Sequence, residues 1–70
     1  MNIFYNTIAA AETAGMQSNP TGNCDRIYRV NHFDGPSYTP SLEIASMALE
    51  NGVPVTPMHK HYKRGWECSI

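Results

Sequence analysis

The sequence predicts a small α+β domain, in which an antiparallel sheet of three to four strands carries one or two helices packed on one face. Three observations support this fold class. A capped helical stripe lies near the middle of the chain, a β-branched and aromatic run precedes it, and a glycine turn between two apolar segments follows it. Residues 1–70 are expected to form a single domain, because a chain of this length can build only one hydrophobic core.

The most clearly defined element is a helix predicted from Ser41 to Asn51. Thr39 is a suitable N-cap residue and Pro40 suits the first turn, while Gly52 can adopt the left-handed conformation that ends a helix. Helical periodicity places four residues on one stripe that we expect to face the core: Leu42, Ala45, Ala48 and Leu49.

Other residues of this helix suggest contacts beyond the core. Ile44 and Met47 widen the apolar arc, and we expect Met47 at the edge of a contact surface. Glu43 and Glu50 lie on the polar side, which is either solvated surface or the contact for a basic partner. Because a core of this size gives little net stability, we also consider a two-fold homodimer that pairs the sheet edge or buries Ile44 and Met47.

Upstream of the helix, residues 24–33 are predicted to form a strand. The run is rich in β-branched and aromatic side chains, namely Ile27, Tyr28, Val30 and Phe33. Turn-forming residues bound it on both sides, and the segment 34–36 that follows is interpreted as a turn.

The N-terminal residues 2–14 fit either a strand or a helix. Residues 2–8 can pair as a strand, but consecutive alanines follow them, and alanine is the strongest helix former. A helix would also bring four residues to one face: Phe4, Ile8, Ala11 and Gly15. We therefore favour a helix.

The C-terminal part is predicted to be a β-hairpin. Residues 53–57 contain Pro54 and Pro57, which lack the N–H that a central strand requires, so this segment is expected to be a connector or an edge strand. Segments 58–63 and 66–70 flank Arg64 and Gly65, a short turn with glycine available for positive φ.

Composition excludes several functional classes. A formal net charge of −1 argues against both a strongly basic DNA binder and an acidic DNA mimic. Cys24 and Cys68 are too few for the disulfide framework of small secreted domains, so we expect reduced thiols rather than a disulfide. The sequence shows neither a signal peptide nor a membrane span, and we expect a cytoplasmic protein without membrane contact.

The candidate site is the predicted hairpin, which holds the densest group of polar and aromatic residues. The candidate partner-binding residues are His59, Lys60, His61, Tyr62, Lys63, Arg64 and Trp66. Strand alternation predicts a wet face with His59, His61, Lys63, Glu67 and Ser69. It predicts a core face with Met58, Tyr62, Trp66, Cys68 and Ile70.

The leading hypothesis is a non-catalytic protein-binding module, because Arg, Trp, Tyr, His and Met are typical of protein interfaces. Tyr62, Trp66 and Arg64 are the candidate anchors. By size class alone, and without any shared motif, the chain resembles the small inhibitors encoded by phages and mobile elements, some anti-CRISPR proteins among them. That resemblance implies an inhibitor that occupies a surface of a host protein or complex.

Nucleic-acid binding, directly or as part of a regulatory complex, is the first alternative hypothesis. Lys60, Lys63 and Arg64 would contact phosphates, and Tyr62 or Trp66 would stack on bases. The patch would extend to Arg26 and Arg29 if their strand lies beside the hairpin.

The second alternative is a metal-stabilised domain with His59 and His61 as ligands, completed by His32, Cys24 or Cys68. This spacing is permissive rather than diagnostic of a metal site. No sequence motif indicates a nucleophile, a paired-carboxylate arrangement or a phosphate-binding loop, so we predict no catalytic residue and no cofactor.

Overall fold

The computed structural model describes residues 4–24 and 26–69, and within them the chain forms two helices and a four-stranded antiparallel sheet. The elements in chain order are α1 (Ile8–Ser18), β1 (Arg26–His32), β2 (Gly35–Thr39), α2 (Leu42–Glu50), β3 (Val55–His61) and β4 (Gly65–Cys68). The strand order in the sheet is β2-β1-β3-β4. The predicted α+β class is confirmed.

Helix α1 begins at Ile8, where Thr7 provides the N-cap. The Thr7 hydroxyl accepts a hydrogen bond from the Ala10 N–H at 3.1 Å. Tyr5 lies before the helix and exchanges two 2.8 Å backbone hydrogen bonds with Tyr38 of β2. The N-terminal helix is therefore confirmed from Ile8 onward, while Tyr5 pairs as a strand residue does. The predicted positions 2 and 3 lie outside the described residues.

Strand β2 was not predicted individually, because Gly35 and Pro36 indicated a turn. They lie instead in the first part of the strand, where Pro36 is opposite Asn31 of β1. Proline is tolerated there because β2 is the last strand on that side of the sheet. Strand β1 confirms the prediction for residues 24–33 with one correction: Phe33 lies in the β1–β2 turn and is fully exposed.

Strand β3 corrects the prediction of a connector or edge, because Val55–His61 lies between β1 and β4. The position of Pro57 explains how a proline is accommodated there. Its carbonyl accepts the Ser69 N–H at 2.8 Å, so its nitrogen also faces the β4 side, as both groups of one residue do in an antiparallel strand. The missing donor therefore breaks no ladder bond with β1. On the other side, β4 ends at Cys68, one residue before the position opposite Pro57.

Helix α2 confirms the predicted central helix, but its N-cap is Ser41 rather than Thr39. The Ser41 hydroxyl accepts the Ile44 N–H at 3.3 Å. Thr39 ends β2 as a fully buried residue, and its hydroxyl accepts the Ser41 N–H at 3.2 Å. The predicted stop at Gly52 is confirmed by a φ of +82°.

The buried face of α2 is narrower than predicted. Ala45 and Ala48 are buried, whereas Leu42 is 62% exposed and Leu49 is 56% exposed. The two leucines were expected in the core, but they border the alanines on the solvent side of the helix. Ile44 is partly buried, so the inner face of α2 is turned toward Ile44 and away from the two leucines.

The core lies on both sides of β1. Ile27 forms a buried cluster with Ala11 of α1 and Met58 of β3. Val30 projects to the opposite side by strand alternation, and it is also fully buried. Partly buried residues pack around the Ile27 cluster: Tyr5, Ile8, Cys24, Tyr38, Trp66 and Cys68.

Candidate partner-binding surface

The β3–β4 hairpin is confirmed, with the register Met58↔Cys68, His59↔Glu67, Lys60↔Trp66 and His61↔Gly65. His59, His61 and Glu67 share a face as predicted, and Met58, Trp66 and Cys68 occupy the other. Residues 62–64 form the connecting turn, which we call the hairpin turn.

Tyr62 corrects the predicted faces, because it lies in the hairpin turn and is 86% exposed instead of joining the core. Its ring stacks on that of His61, with centroids 4.9 Å apart and planes 24° apart. The Lys63 ammonium lies 5.6 Å from the Tyr62 centroid, within the usual range of a cation–π contact. The exposed ring thus contacts both a histidine and a lysine.

His61 organises the backbone of the hairpin turn. Its Nδ1 accepts hydrogen bonds from the Lys63 N–H at 3.1 Å and the Arg64 N–H at 3.3 Å. Gly65 then takes a φ of +80°, a conformation that glycine adopts without strain. Together these features select one conformation for the turn.

Arg64 pairs with Glu67 inside the hairpin. The Nε–Oε2 distance is 2.9 Å and the Nη2–Oε1 distance is 3.1 Å, a two-point contact. These hydrogen bonds from Arg64 lower the pKa of Glu67 and raise the pKa of Arg64. Glu67 also lies 3.8 Å from His59 Nε2, while His59 Nδ1 is 2.7 Å from the Ser69 hydroxyl.

Lys60 and Trp66 point toward α1, where both contact Glu12. The Lys60 ammonium is 2.7 Å from Glu12 Oε2, and the Trp66 indole N–H donates to the same oxygen at 3.2 Å. The hydrogen bond from Lys60 is the main reason that the pKa of Glu12 is lowered, and the pKa of Lys60 is raised in turn. Trp66 therefore joins the hairpin to α1.

Glu12 had no role in the sequence interpretation. One available signal was chemical: a half-buried indole N–H needs an acceptor, and Glu12 is the one carboxylate of α1. Which strand position would meet that carboxylate depends on how α1 lies across the sheet, and this is not visible in the sequence.

The other predicted residues divide between the two sides of the hairpin. Arg26 is exposed and lies opposite His59 on the neighbouring strand, on the face that Lys60 does not share. Arg29 is partly buried, and its Nε has no hydrogen-bond partner among the described residues. In the part of the chain that the structure describes, His59 and His61 belong to no group of three residues able to hold a metal ion.

The candidate surface is therefore a turn with an exposed aromatic residue and flanking cations. No family model matches this chain, and neither a curated protein nor a solved structure matches it. Neither helix within residues 4–24 and 26–69 is long and apolar enough to cross a membrane. The function is accordingly inferred from the geometry of the turn.

Proposed function

We propose that this chain is a non-catalytic protein-binding module whose hairpin turn contacts the partner. The observation that carries the proposal is the position of Tyr62, a large aromatic side chain that is 86% exposed and yet held by His61 and Lys63. Tyrosine is a frequent anchor of protein interfaces, because it offers a wide contact area with few rotatable bonds.

The ordered hairpin turn favours binding energetically. An interface residue that is already held in its bound conformation loses less entropy on association, by about 0.5–1.5 kcal/mol for each side chain that would otherwise be immobilised. His61 and the Arg64–Glu67 pair restrict the turn before any partner arrives. Tyr62 and Lys63 remain available for new contacts.

The same geometry favours a protein partner over nucleic acid. Of the three hairpin cations, Lys60 is paired with Glu12 and Arg64 with Glu67, which leaves Lys63 as the cation directed toward the ring of Tyr62. For a protein partner we therefore expect only a small loss of affinity with added salt. Nucleic-acid contact through several phosphates would produce a steep one.

The mode of action that we propose is occupation of a partner's surface, as in a small inhibitor. The anchors are Tyr62 and Lys63, with Arg64 and His61 supporting the turn. Lys60 and Trp66 support the fold of the hairpin through Glu12 and act on binding indirectly. His59 lies on the side of the hairpin that carries Glu67 and belongs to the rim of this surface.

The experiment compares two exposed aromatic residues in different turns, Tyr62 in the hairpin turn and Phe33 in the β1–β2 turn. Tagged wild-type chain, Tyr62→Ala and Phe33→Ala are used to capture partners from a lysate, and the captured protein is then titrated against each variant by calorimetry. Tyr62→Ala should weaken binding at least tenfold, equivalent to about 1.4 kcal/mol. Phe33→Ala is the matched control, because Phe33 is an aromatic residue at least as exposed as Tyr62 but lies in the β1–β2 turn.

Equal affinity of Tyr62→Ala and wild type, with unchanged circular dichroism, would remove the hairpin turn as the contact. A second variant, Lys63→Ala with Arg64→Ala, tests the polar part of the turn in the same assay. Repeating the titration from low to high salt separates protein contact from nucleic-acid contact.

A further inference from the structure

A small apolar cleft lies between α2 and the C-terminal end of β1. Its volume is about 200 Å³, and its lining includes Phe4, His32, Ile44, Met47, Ala48 and Val53. Sites for drug-sized ligands and cofactors usually have about 300–1,000 Å³. The cleft is thus of a size that accepts one or two protein side chains.

The cleft lies far from the hairpin turn along the sheet. Arg26 at the start of β1 pairs with His59 near the hairpin turn, whereas His32 at the end of β1 lines the cleft. Phe4 packs edge-on against His32, with ring centroids 4.9 Å apart and planes at 85°. These two rings form one wall, and α2 forms the other.

The exposed rim of the cleft is acidic. Met47 is 57% exposed and has Glu43 four residues before it and Glu50 three residues after it, which places both carboxylates beside it on the helix surface. Asp34 lines an adjoining depression that shares Phe4 and His32. Among the described residues these three carboxylates form no ion pair.

No side chain of α2 offsets this charge, because the helix contains no lysine or arginine, although Glu43 lies in the first turn, where the helix dipole favours a carboxylate. Glu50 also lies at the C-terminal end of α2, where the helix dipole disfavours a negative charge and favours a cation. The cations of the chain lie elsewhere, in β1 and the hairpin: Arg26, Arg29, Lys60, Lys63 and Arg64. The cleft therefore combines an apolar interior with a negative rim that forms no ion pair with any residue within 4–24 and 26–69.

We propose that this cleft docks a basic, apolar segment of another protein. A bulky aliphatic or aromatic side chain of that segment enters between Phe4 and Met47. Lysines or arginines next to it in sequence meet Glu43 and Glu50. This site is separate from the hairpin turn, and the inference does not depend on the function proposed for that turn.

A second copy of α2 fits this surface poorly. A two-fold contact through Met47 would bring Glu43 and Glu50 of both chains together, and neither helix carries a cation to separate them. Charge complementarity thus selects a basic partner over self-association through this helix.

The test uses two synthetic helical peptides with the same leucine positions, one with lysines and the other with glutamates on the flanks. Each is titrated into the isotope-labelled full chain at low salt, and amide resonances are followed by NMR. The lysine peptide should bind at least tenfold more tightly than the glutamate peptide. Its largest shifts should fall on residues 44–53.

Two variants locate the contact. Glu43→Lys with Glu50→Lys should weaken the lysine peptide at least tenfold, and Met47→Ser should weaken it with no change in circular dichroism. Tyr62→Ala should bind the peptide as wild type does, so that failure here is distinguishable from failure of the hairpin-turn proposal.

Three outcomes would overturn the proposal. The first is equal binding of the two peptides, and the second is a set of shifts confined to the hairpin. The third is a sedimentation result in which the chain dimerises and Met47→Ser dissolves the dimer, because the occupant would then be a second copy.

Discussion

At the residue scale, the environment of a side chain decides its role more than its type does. Tyr62 and Trp66 are both aromatic residues of one hairpin, yet Tyr62 is 86% exposed in the turn and Trp66 is partly buried against the core. Trp66 donates its indole N–H to Glu12, whereas the Tyr62 ring lies on His61. Trp66 is thus engaged within the fold and Tyr62 is not, and this is why we place the partner contact at Tyr62.

Gly15 shows the same principle in the core. A Cβ at this position would lie 2.6 Å from Cys24 Sγ and 2.9 Å from Pro40 Cβ. Helix α1 therefore packs against these two residues without room for a side chain. Gly15→Ala should lower the free energy of unfolding by about 1 kcal/mol. A clash of about 1–3 kcal/mol outweighs the gain of about 1 kcal/mol in helix propensity. Urea denaturation measures the change.

The control for this substitution is Gln17→Ala on the exposed side of the same helix. It should leave the free energy of unfolding within about 0.5 kcal/mol of wild type. A stabilised Gly15→Ala protein would show that helix propensity dominates and that Cys24 and Pro40 move to make room.

At the element scale, caps and prolines take their meaning from the neighbouring element. Thr39 has the side chain of an N-cap, but β2 extends through it and buries it, so Ser41 caps α2 instead. Pro57 is compatible with the central strand β3 because its nitrogen faces the β4 side, just beyond the end of β4 at Cys68. In both cases the residue has the local preference that its type implies, but the pairing of strands decides where in the fold it lies.

The cap of α2 gives a prediction at this scale. Ser41→Ala should destabilise the protein by about 1 kcal/mol, because the Ile44 N–H loses its side-chain acceptor. Ser46→Ala is the matched control, since Ser46 is exposed within the same helix and alanine is favoured there. Thermal unfolding of the two variants is compared by circular dichroism at 222 nm, which follows the helix signal. Equal melting temperatures would contradict the assignment of Ser41 as the cap.

At the scale of the whole molecule, the charges are separated. Cations occupy β1 and the hairpin, where Glu12 and Glu67 pair with Lys60 and Arg64. The carboxylates around the α2 cleft lack such partners in the described part of the chain. A formal net charge of −1 conceals this asymmetry, which gives the two ends of the sheet different preferences for a partner.

The paired carboxylates predict how stability depends on pH. The pKa values of Glu12 and Glu67 are lowered in the folded state by hydrogen bonds from Lys60 and Arg64. Their contribution to stability is therefore present above the pKa of an unfolded glutamate, about 4.3, and is lost as the pH falls through the lower folded values. Urea midpoints should decrease as the pH falls below about 4.

Glu12→Gln with Glu67→Gln should flatten this acid response, because the amide side chains do not titrate. The fluorescence of Trp66, the one tryptophan of the chain, follows unfolding in both proteins. An acid response of the same slope in the double variant would assign the effect to other carboxylates.

Local patterns in the sequence predict the α+β class, the central helix with its stop at Gly52, the strand around Ile27 and the C-terminal hairpin. These depend on periodicity, on glycine at positive φ and on β-branched runs, which act over a few neighbouring residues. The concentration of contact residues between His59 and Trp66 was equally visible, and their partner-binding role stays a prediction.

Three features depend on long-range packing: which strands are neighbours, which side of α2 is buried and which hairpin residues already have partners. The central position of β3, the Glu12 contacts of Lys60 and Trp66, and the cleft beside Met47 all join residues far apart in the chain. Such contacts depend on how the helices lie across the sheet. No local pattern encodes that placement, because it results from the packing of all the elements together.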